Sequence, residues 1–124
     1  MVKKICLDSD VLIELLHGNE DVKNTLASIN GELFTTSVSV FEVWYGRKKS
    51  ETVSELLDAL HILSLEKMSA MFAADMFSEL NKKGESLDLK DVFIAAMCIR
   101  NEVVLYTFNK KHFQRMEKFG LVLL

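Results

Sequence analysis

Short apolar runs alternate with amphipathic segments along this chain. The runs predict five strands, at residues 5–7, 32–35, 61–65, 103–106 and 120–124. Strands that alternate with about seven helical segments indicate a mainly parallel sheet between layers of helices. The pattern therefore predicts an α/β fold, a three-layer α/β/α sandwich around a five-stranded parallel sheet.

Two of the predicted helices have distinctive patterns. Residues 20–29 read as a short amphipathic helix that Asn30 and Gly31 close. The segment 88–100 is apolar almost all the way round, and only its first turn is polar. A helix with no polar face is buried on all sides. This segment should therefore be a central helix.

The helix predicted after the second strand carries an acid among apolar residues. Val38, Phe41, Trp44 and Tyr45 have the spacing of core positions, and Glu42 lies among them. A buried charge is costly unless it is paired or bound to a metal. Glu42 is therefore a candidate functional residue.

Length and composition predict a single globular domain over residues 1–124. Hydrophobic residues make up 49% of the chain and charged residues 27%, and no linker-like stretch or repeat is visible. Cys6 and Cys98 lie inside apolar runs, so reduced core residues are favoured over a disulfide. No run approaches the ~20 apolar residues of a membrane helix, and no signal-cleavage pattern is visible. A soluble, cytoplasmic protein without membrane association is expected.

Four oxygen-bearing side chains fall at equivalent places in this scheme. Asp8 ends the first strand, Glu42 follows the second, Asp91 lies in the first turn of the apolar helix, and Asn109 follows the fourth strand. The carboxyl ends of parallel strands share one edge of a sheet, where ligands bind. Carboxylates gathered there repel one another, and a divalent cation relieves the repulsion. Oxygen ligands favour Mg²⁺ or Mn²⁺ over zinc.

Helix capping is the competing interpretation for three of these residues. Asp8 and Asp91, each taken alone, are better explained as helix caps, and an N-cap role for Asn109 is equally well supported. The joint pattern is what favours a metal site. The three histidines lack metal-binding spacing and are interpreted as surface or capping residues: His17, His61 and His112.

Four motifs together resemble those of a known family. They are Asp8-Ser-Asp10 after an apolar strand, Ser-Val-Phe-Glu42-Val-Trp-Tyr-Gly, Leu-Asp-Leu-Lys-Asp91-Val-Phe-Ile-Ala-Ala, and Leu-Tyr-Thr107-Phe-Asn109 with His-Phe shortly after. In this order and spacing they resemble the PIN domain, in particular the VapC-type toxins. The resemblance runs from one end of the chain to the other.

The resemblance implies a strand order of 3-2-1-4-5 and a divalent-metal-dependent endoribonuclease activity on RNA. Asp8, Glu42 and Asp91 match the metal-binding acids of the family, with Mg²⁺ or Mn²⁺ as the cofactor. Asn109 matches a fourth catalytic position that is often another acid.

Further residues and partners follow from the same resemblance. Asp10 stands where the family commonly has asparagine, and Thr107 matches a frequent hydroxyl beside the site. VapC-type toxins usually form homodimers and are blocked by a small cognate antitoxin. Arg47 and Lys48 are candidate contacts to RNA phosphate, although a solvated helix end is the favoured interpretation and the net charge of −3 argues against a broadly basic RNA-binding surface.

Two alternatives from other classes remain. Leu-Asp8-Ser-Asp10-Val also fits the opening motif of haloacid-dehalogenase-like phosphatases, with Asp8 as the nucleophile. That alternative lacks a later strand ending in Gly-Asp and leaves Glu42 without a role. A non-catalytic receiver-like module would need an Asp after the third strand and a Lys after the fifth, and neither is present.

Overall fold

A computed structural model describes residues 2–46, 50–84 and 87–124. The strands are β1 (Lys4–Leu7), β2 (Glu32–Thr36), β3 (His61–Leu63) and β4 (Val104–Tyr106). The helices are α1 (Ser9–Leu16), α2 (Glu20–Ile29), α3 (Ser37–Gly46), α4 (Glu51–Asp58), α5 (Lys67–Lys82), α6 (Leu89–Arg100) and α7 (Lys110–Phe113), followed by a 3₁₀ helix (Gln114–Phe119).

The sheet is parallel and its strands lie in the order β3-β2-β1-β4. This order confirms the α/β fold and the predicted arrangement of the first four strands. The central strand β1 pairs with β2 from Lys4↔Glu32 and with β4 up to Leu7↔Tyr106. Asp8, the residue after β1, therefore emerges between the ends of its two neighbours.

The fifth predicted strand, at residues 120–124, is reduced to a single parallel bridge between Leu105 and Leu123. Leu105 donates to the Val122 carbonyl at 2.9 Å and accepts from the Leu124 N–H at 2.9 Å. The segment thus lies beside β4, where a fifth strand was expected. It does not extend into a ladder because β4 is only three residues long and the chain turns away at Thr107.

Two apolar clusters cover the two faces of the sheet. Alternate residues of β1 enter different clusters, with Cys6 on the α5–α6 side and Ile5 and Leu7 on the side of α1 and α2. Helix α6 is buried from Ile94 to Cys98, which confirms the prediction of a central helix. Cys6 and Cys98 are buried and form no disulfide, as predicted.

Helix α3 packs with only part of the predicted face, since Val38 and Trp44 are partly buried against the core. Phe41 and Tyr45 were predicted to be core residues, yet they are 61% and 82% exposed and stack on each other at 5.7 Å. Ser39 and Val43 are the buried residues of this helix. Small side chains on that face suit α3 because it contacts both α1 and α6. In the described part of the chain, no helix is long and apolar enough to cross a membrane.

Candidate active site

Asp8 is buried at the junction between β1 and α1, where it is 6% exposed. Its Oδ1 accepts the Ser9 N–H at 2.8 Å and so caps α1, and its Oδ2 accepts the Thr107 hydroxyl at 2.8 Å. Its own N–H donates to the Tyr106 carbonyl at 3.0 Å. Burial, followed by the charge of Asp10, raises the pKa of Asp8 to about 6. Asp8 therefore caps α1, and burial and the charge of Asp10 disfavour the ionised form of its carboxylate.

Asp10 and Thr107 connect the start of α1 to the segment after β4. Asp10 Oδ2 accepts the Phe108 N–H at 3.2 Å and lies 3.5 Å from the Thr107 hydroxyl oxygen, which in turn accepts the Asn109 N–H at 3.0 Å. Asp10 Oδ1 is buried and has no hydrogen-bond partner among the described residues. Burial raises the pKa of Asp10. An unpaired buried carboxylate oxygen calls for a ligand or a water molecule.

Glu42 forms an ion pair across the cleft. Its Oε2 accepts a hydrogen bond from Lys90 Nζ at 3.0 Å, and this hydrogen bond raises the pKa of Lys90. The sequence required Glu42 to be paired or metal-bound, and the structure provides a cationic partner from α6. Lys90 was not identified from the sequence, because its partner Glu42 lies on another helix.

Asp91 lies in the first turn of α6 without capping it. Asp88 is the cap, because its Oδ1 accepts the Lys90 N–H at 3.0 Å. Asp91 Oδ2 is 3.8 Å from His112 Nδ1. Burial, then the charge of Asp88, raises the pKa of Asp91. The capping interpretation of Asp91 was wrong, and its carboxylate is available to the cleft.

Asn109 precedes α7 but its side chain makes no cap hydrogen bond. Its Nδ2 is instead 3.1 Å from His112 Nδ1. His112 therefore contacts both Asn109 and Asp91, and its interpretation as a surface or capping residue was incomplete. The three-residue separation of Asn109 and His112 at a helix start was the signal that linked them.

A cleft of about 440 Å³ brings the predicted site together. All four predicted catalytic residues line it, as does Asp10. The lining residues that the sequence analysis did not assign to a site are Ser9, Asp88, Phe108 and His112. Thr107 is not among the lining residues, and its hydroxyl donates a hydrogen bond to Asp8 Oδ2. Arg47 and Lys48, the candidate RNA contacts, lie outside the described residues.

The cleft suits a hard divalent cation by its chemistry. Its lining holds five carboxylates, those of Asp8, Asp10, Glu42, Asp88 and Asp91. Within the described ranges, no three Asp, Glu, His or Cys side chains already converge on a common point that could hold a metal. Lys90 instead supplies the counter-charge to Glu42, and His112 Nδ1 lies 3.8 Å from Asp91 Oδ2. A cation would take over that neutralising role, with oxygen ligands of the kind that Mg²⁺ and Mn²⁺ prefer.

Comparison with known sequences gives a family and named relatives. The PIN domain family matches residues 5–119. "Ribonuclease VapC3" of Methanocaldococcus jannaschii is 32% identical over 91 residues, which cover 73% of this chain and 94% of the relative. "Ribonuclease VapC1" of the same organism is 28% identical over 120 residues, covering 95% of this chain and 85% of the relative.

Solved structures agree with this assignment at the level of the fold. The VapBC2 structure from Rickettsia felis, bound to a DNA fragment from its promoter, matches with a TM-score of 0.85 at 23% identity, over 98% of this chain and 97% of that one. DNA-bound VapBC from Salmonella typhimurium matches with a TM-score of 0.83 at 21% identity, over 100% and 98% of the two chains. The chain belongs to the PIN-domain family, and within it is similar to the VapC ribonucleases.

Proposed function

We propose that this protein is a divalent-metal-dependent endoribonuclease that hydrolyses RNA phosphodiester bonds, and that it is the toxin of a toxin–antitoxin pair. The observation that carries the proposal is the cleft that Asp8, Asp10, Glu42 and Asp91 line together, with one buried Asp10 oxygen unpaired among the described residues. The names of the VapC relatives support RNA as the substrate. The phosphatase and receiver alternatives are less well supported, because the family match is to the PIN domain.

Asp8, Glu42 and Asp91 would hold Mg²⁺ or Mn²⁺, and Asn109 would add an amide oxygen beside them. The chemistry that such an ion supplies when bound is neutralisation of phosphate charge and a lower pKa for the attacking water. Without that positive charge, the carboxylates of the cleft would repel a phosphodiester. The acidity of the cleft thus makes RNA cleavage dependent on a cation.

We assign different tasks to the two acids that are candidates for accepting the proton of the attacking water. Both oxygens of Asp8 already accept hydrogen bonds, from Ser9 and Thr107. Asp91 accepts no hydrogen bond among the described residues, and its nearest polar contact is the half-exposed His112, whose Nδ1 lies 3.8 Å away. Asp91 is therefore better placed to orient and deprotonate water, while Asp8 is held in one orientation as a ligand.

The proposed partners are an RNA substrate, a cognate antitoxin protein and a second copy of the chain. Support for the antitoxin comes from structural relatives that are VapBC complexes, described in one case as a toxin–antitoxin system. The homodimer rests on the resemblance to VapC-type toxins. Thr107 and Asp10 are proposed to support the site through the hydrogen bonds described above.

The test is an RNA cleavage assay with Mg²⁺, with Mn²⁺ and with chelator, on the parent and on Asp8→Asn and Glu42→Gln. We expect cleavage only with metal, and a loss of more than about 100-fold in each variant, because removing a ligand costs at least as much as removing its supporting residue. Glu79→Gln, an acid-to-amide change at an exposed position of α5, is the matched control and should cleave as the parent does.

Circular dichroism spectra of the variants show whether each one folds. Cleavage that persists in chelator, or parent-like rates in both site variants, would contradict the proposal. Hydrolysis of a generic phosphate monoester without RNA cleavage would instead favour the phosphatase alternative with Asp8 as the nucleophile.

A further inference from the structure

An exposed aromatic ring lies at the edge of the acidic cleft. Phe108 is 53% exposed and lines the cleft together with Asp8, Glu42 and Asp91. No hydrogen bond or charge of the site requires a phenyl ring at this position. Exposed apolar surface beside a polar site is a common feature of ligand contacts.

The position of Phe108 is fixed by its neighbours in the chain. Its N–H donates to Asp10 Oδ2 at 3.2 Å, and the flanking Thr107 hydroxyl is bonded to Asp8 at 2.8 Å. Its ring meets the ring of Tyr106 at 5.8 Å with an angle of 76° between the planes. The Phe108 backbone is therefore tied to the same acids that form the proposed metal site.

Other aromatic rings of the described chain are used differently. Phe113 is fully buried in the core, and Phe41 and Tyr45 cover each other in a stacked pair with 10° between their planes. Phe108 has an edge-type contact with Tyr106 and no stacked partner among the described residues. A flat apolar face thus remains open beside the cleft.

The charge of the cleft limits how RNA can be held there. Five carboxylates line it, and no lysine or arginine of the described segments does so. Lys90, from the first turn of α6, is engaged by Glu42 at 3.0 Å. Contacts that do not depend on phosphate charge would therefore add to the affinity for a flanking nucleotide. Unpaired bases offer such a contact, because they stack on aromatic side chains with about 1–3 kcal/mol per base.

We propose that Phe108 is a substrate-binding residue whose ring stacks on the nucleobase next to the scissile phosphate of single-stranded RNA. The inference rests on the proposed ribonuclease function and adds a substrate-binding residue to it, one that contacts a base and not a phosphate. Stacking tolerates every base, so Phe108 contributes to affinity and to the choice of unpaired RNA more than to sequence preference.

The experiment is a double-mutant cycle in which one change is made in the protein, at Phe108, and the other in the RNA, at a nucleobase beside the cleavage position. The cleavage position is first mapped on a single-stranded RNA with the parent protein and Mn²⁺. The substrate is then prepared with and without an abasic site at each nucleotide that flanks that position. KM and kcat are measured for the parent, Phe108→Leu and Phe108→Tyr, with Tyr45→Leu as the control, since Tyr45 is exposed but does not line the cleft.

We expect Phe108→Leu to raise KM about 10-fold with a smaller effect on kcat, and Phe108→Tyr to stay close to the parent. The parent should lose a similar factor on one of the abasic RNAs, while Phe108→Leu should not distinguish that RNA from the intact one. Tyr45→Leu should behave as the parent. Thermal unfolding of each variant reports whether it is folded.

Two outcomes would contradict the proposal and are distinguishable. If the parent cleaves RNA but Phe108→Leu retains the parent KM, or loses as much as the parent on the abasic RNA, stacking by Phe108 is wrong and the ribonuclease function stands. If the parent neither binds nor cleaves RNA with any divalent metal, the ribonuclease function itself fails, and the stacking role fails with it.

Discussion

The ionised carboxylate of Asp8 destabilises the folded protein. In the folded protein its pKa is about 6, against an ordinary value of 3.8, because it is buried beside Asp10. A raised pKa means that the protonated form fits the fold better. The contribution of protonated Asp8 to stability is therefore complete below about pH 4 and is lost as the pH rises through 6.

We predict that Asp8→Asn stabilises the metal-free protein at pH 7.5 by about 1–3 kcal/mol. The reason is that raising the pKa of Asp8 from 3.8 to about 6 on folding corresponds to roughly 3 kcal/mol. The gain should shrink towards zero as the pH falls to 4. Urea unfolding in the presence of chelator measures both values. Glu79→Gln should show no such pH-dependent gain, and an Asp8→Asn protein less stable than the parent at pH 7.5 would refute the explanation.

Single residues of the site were predictable where topology determined them. Asp8, Glu42, Asp91 and Asn109 were placed at one sheet edge because the carboxyl ends of parallel strands share it, and all four line the cleft. The contacts of Lys90 with Glu42 and of His112 with Asp91 were not predicted, because the contact of a long or ring side chain depends on how α6 and α7 are turned. Sequence spacing within one helix carries no information about a partner on another helix.

At the scale of the element, capping residues predicted where a helix begins and ends better than periodicity predicted which of its faces is buried. The predicted limits of α2 are those observed, because Asn19 accepts the N–H groups of Asp21 and Val22, and Asn30 ends the helix with φ of 51°. The buried face of α3 was predicted only in part, because Phe41 and Tyr45 are exposed. The packing of α3 against two other helices selected a stripe of smaller residues, which periodicity of the sequence does not reveal.

Gly31 sets the distance between β1 and β2 where the pair begins. A Cβ at Gly31 would lie 2.5 Å from the Lys3 carbonyl oxygen, which also accepts the Glu32 N–H at 2.8 Å. We predict that Gly31→Ala destabilises the protein by about 1–3 kcal/mol, because strand backbone has to move. Gly46→Ala is the matched control: its Cβ meets nothing within 4 Å, and it should stabilise α3 by up to about 1 kcal/mol. Equal effects of the two substitutions on urea midpoints would contradict this account.

At the scale of the whole molecule, the two thiols join the central strand to the central helix. Cys6 and Cys98 are both 0% exposed, and a hydrogen bond between them, together with burial, raises the pKa of the Cys98 thiol. Thiolate is the reactive form, so the folded protein should be inert to alkylation. We predict that both cysteines react with a thiol reagent only on global unfolding, with protection that follows the unfolding free energy from urea titration. Rapid labelling of either cysteine in native buffer would show that the core opens locally.

The order of strands was predictable for the whole molecule, and the length of the last strand was not. The alternation of elements predicted a parallel sheet, and the resemblance to PIN domains implied the order of its strands. The segment 120–124 has the apolar character of a strand and lies beside β4, but pairs only through Leu105. How far a ladder extends depends on both partners, and the turn at Thr107 towards Asp8 limits β4.

The hydrogen bonds from Thr107 and Phe108 to Asp8 and Asp10 join groups that are 97 to 99 residues apart in the chain. During synthesis, Asp8 and Glu42 are made long before the segment that orients Asp8. A nascent chain that has not reached residue 109 lacks part of this segment and one side of the cleft. The proposed nuclease activity would therefore appear only after residues 104–109 have been synthesised and have left the ribosome, so that shorter nascent chains do not cleave RNA.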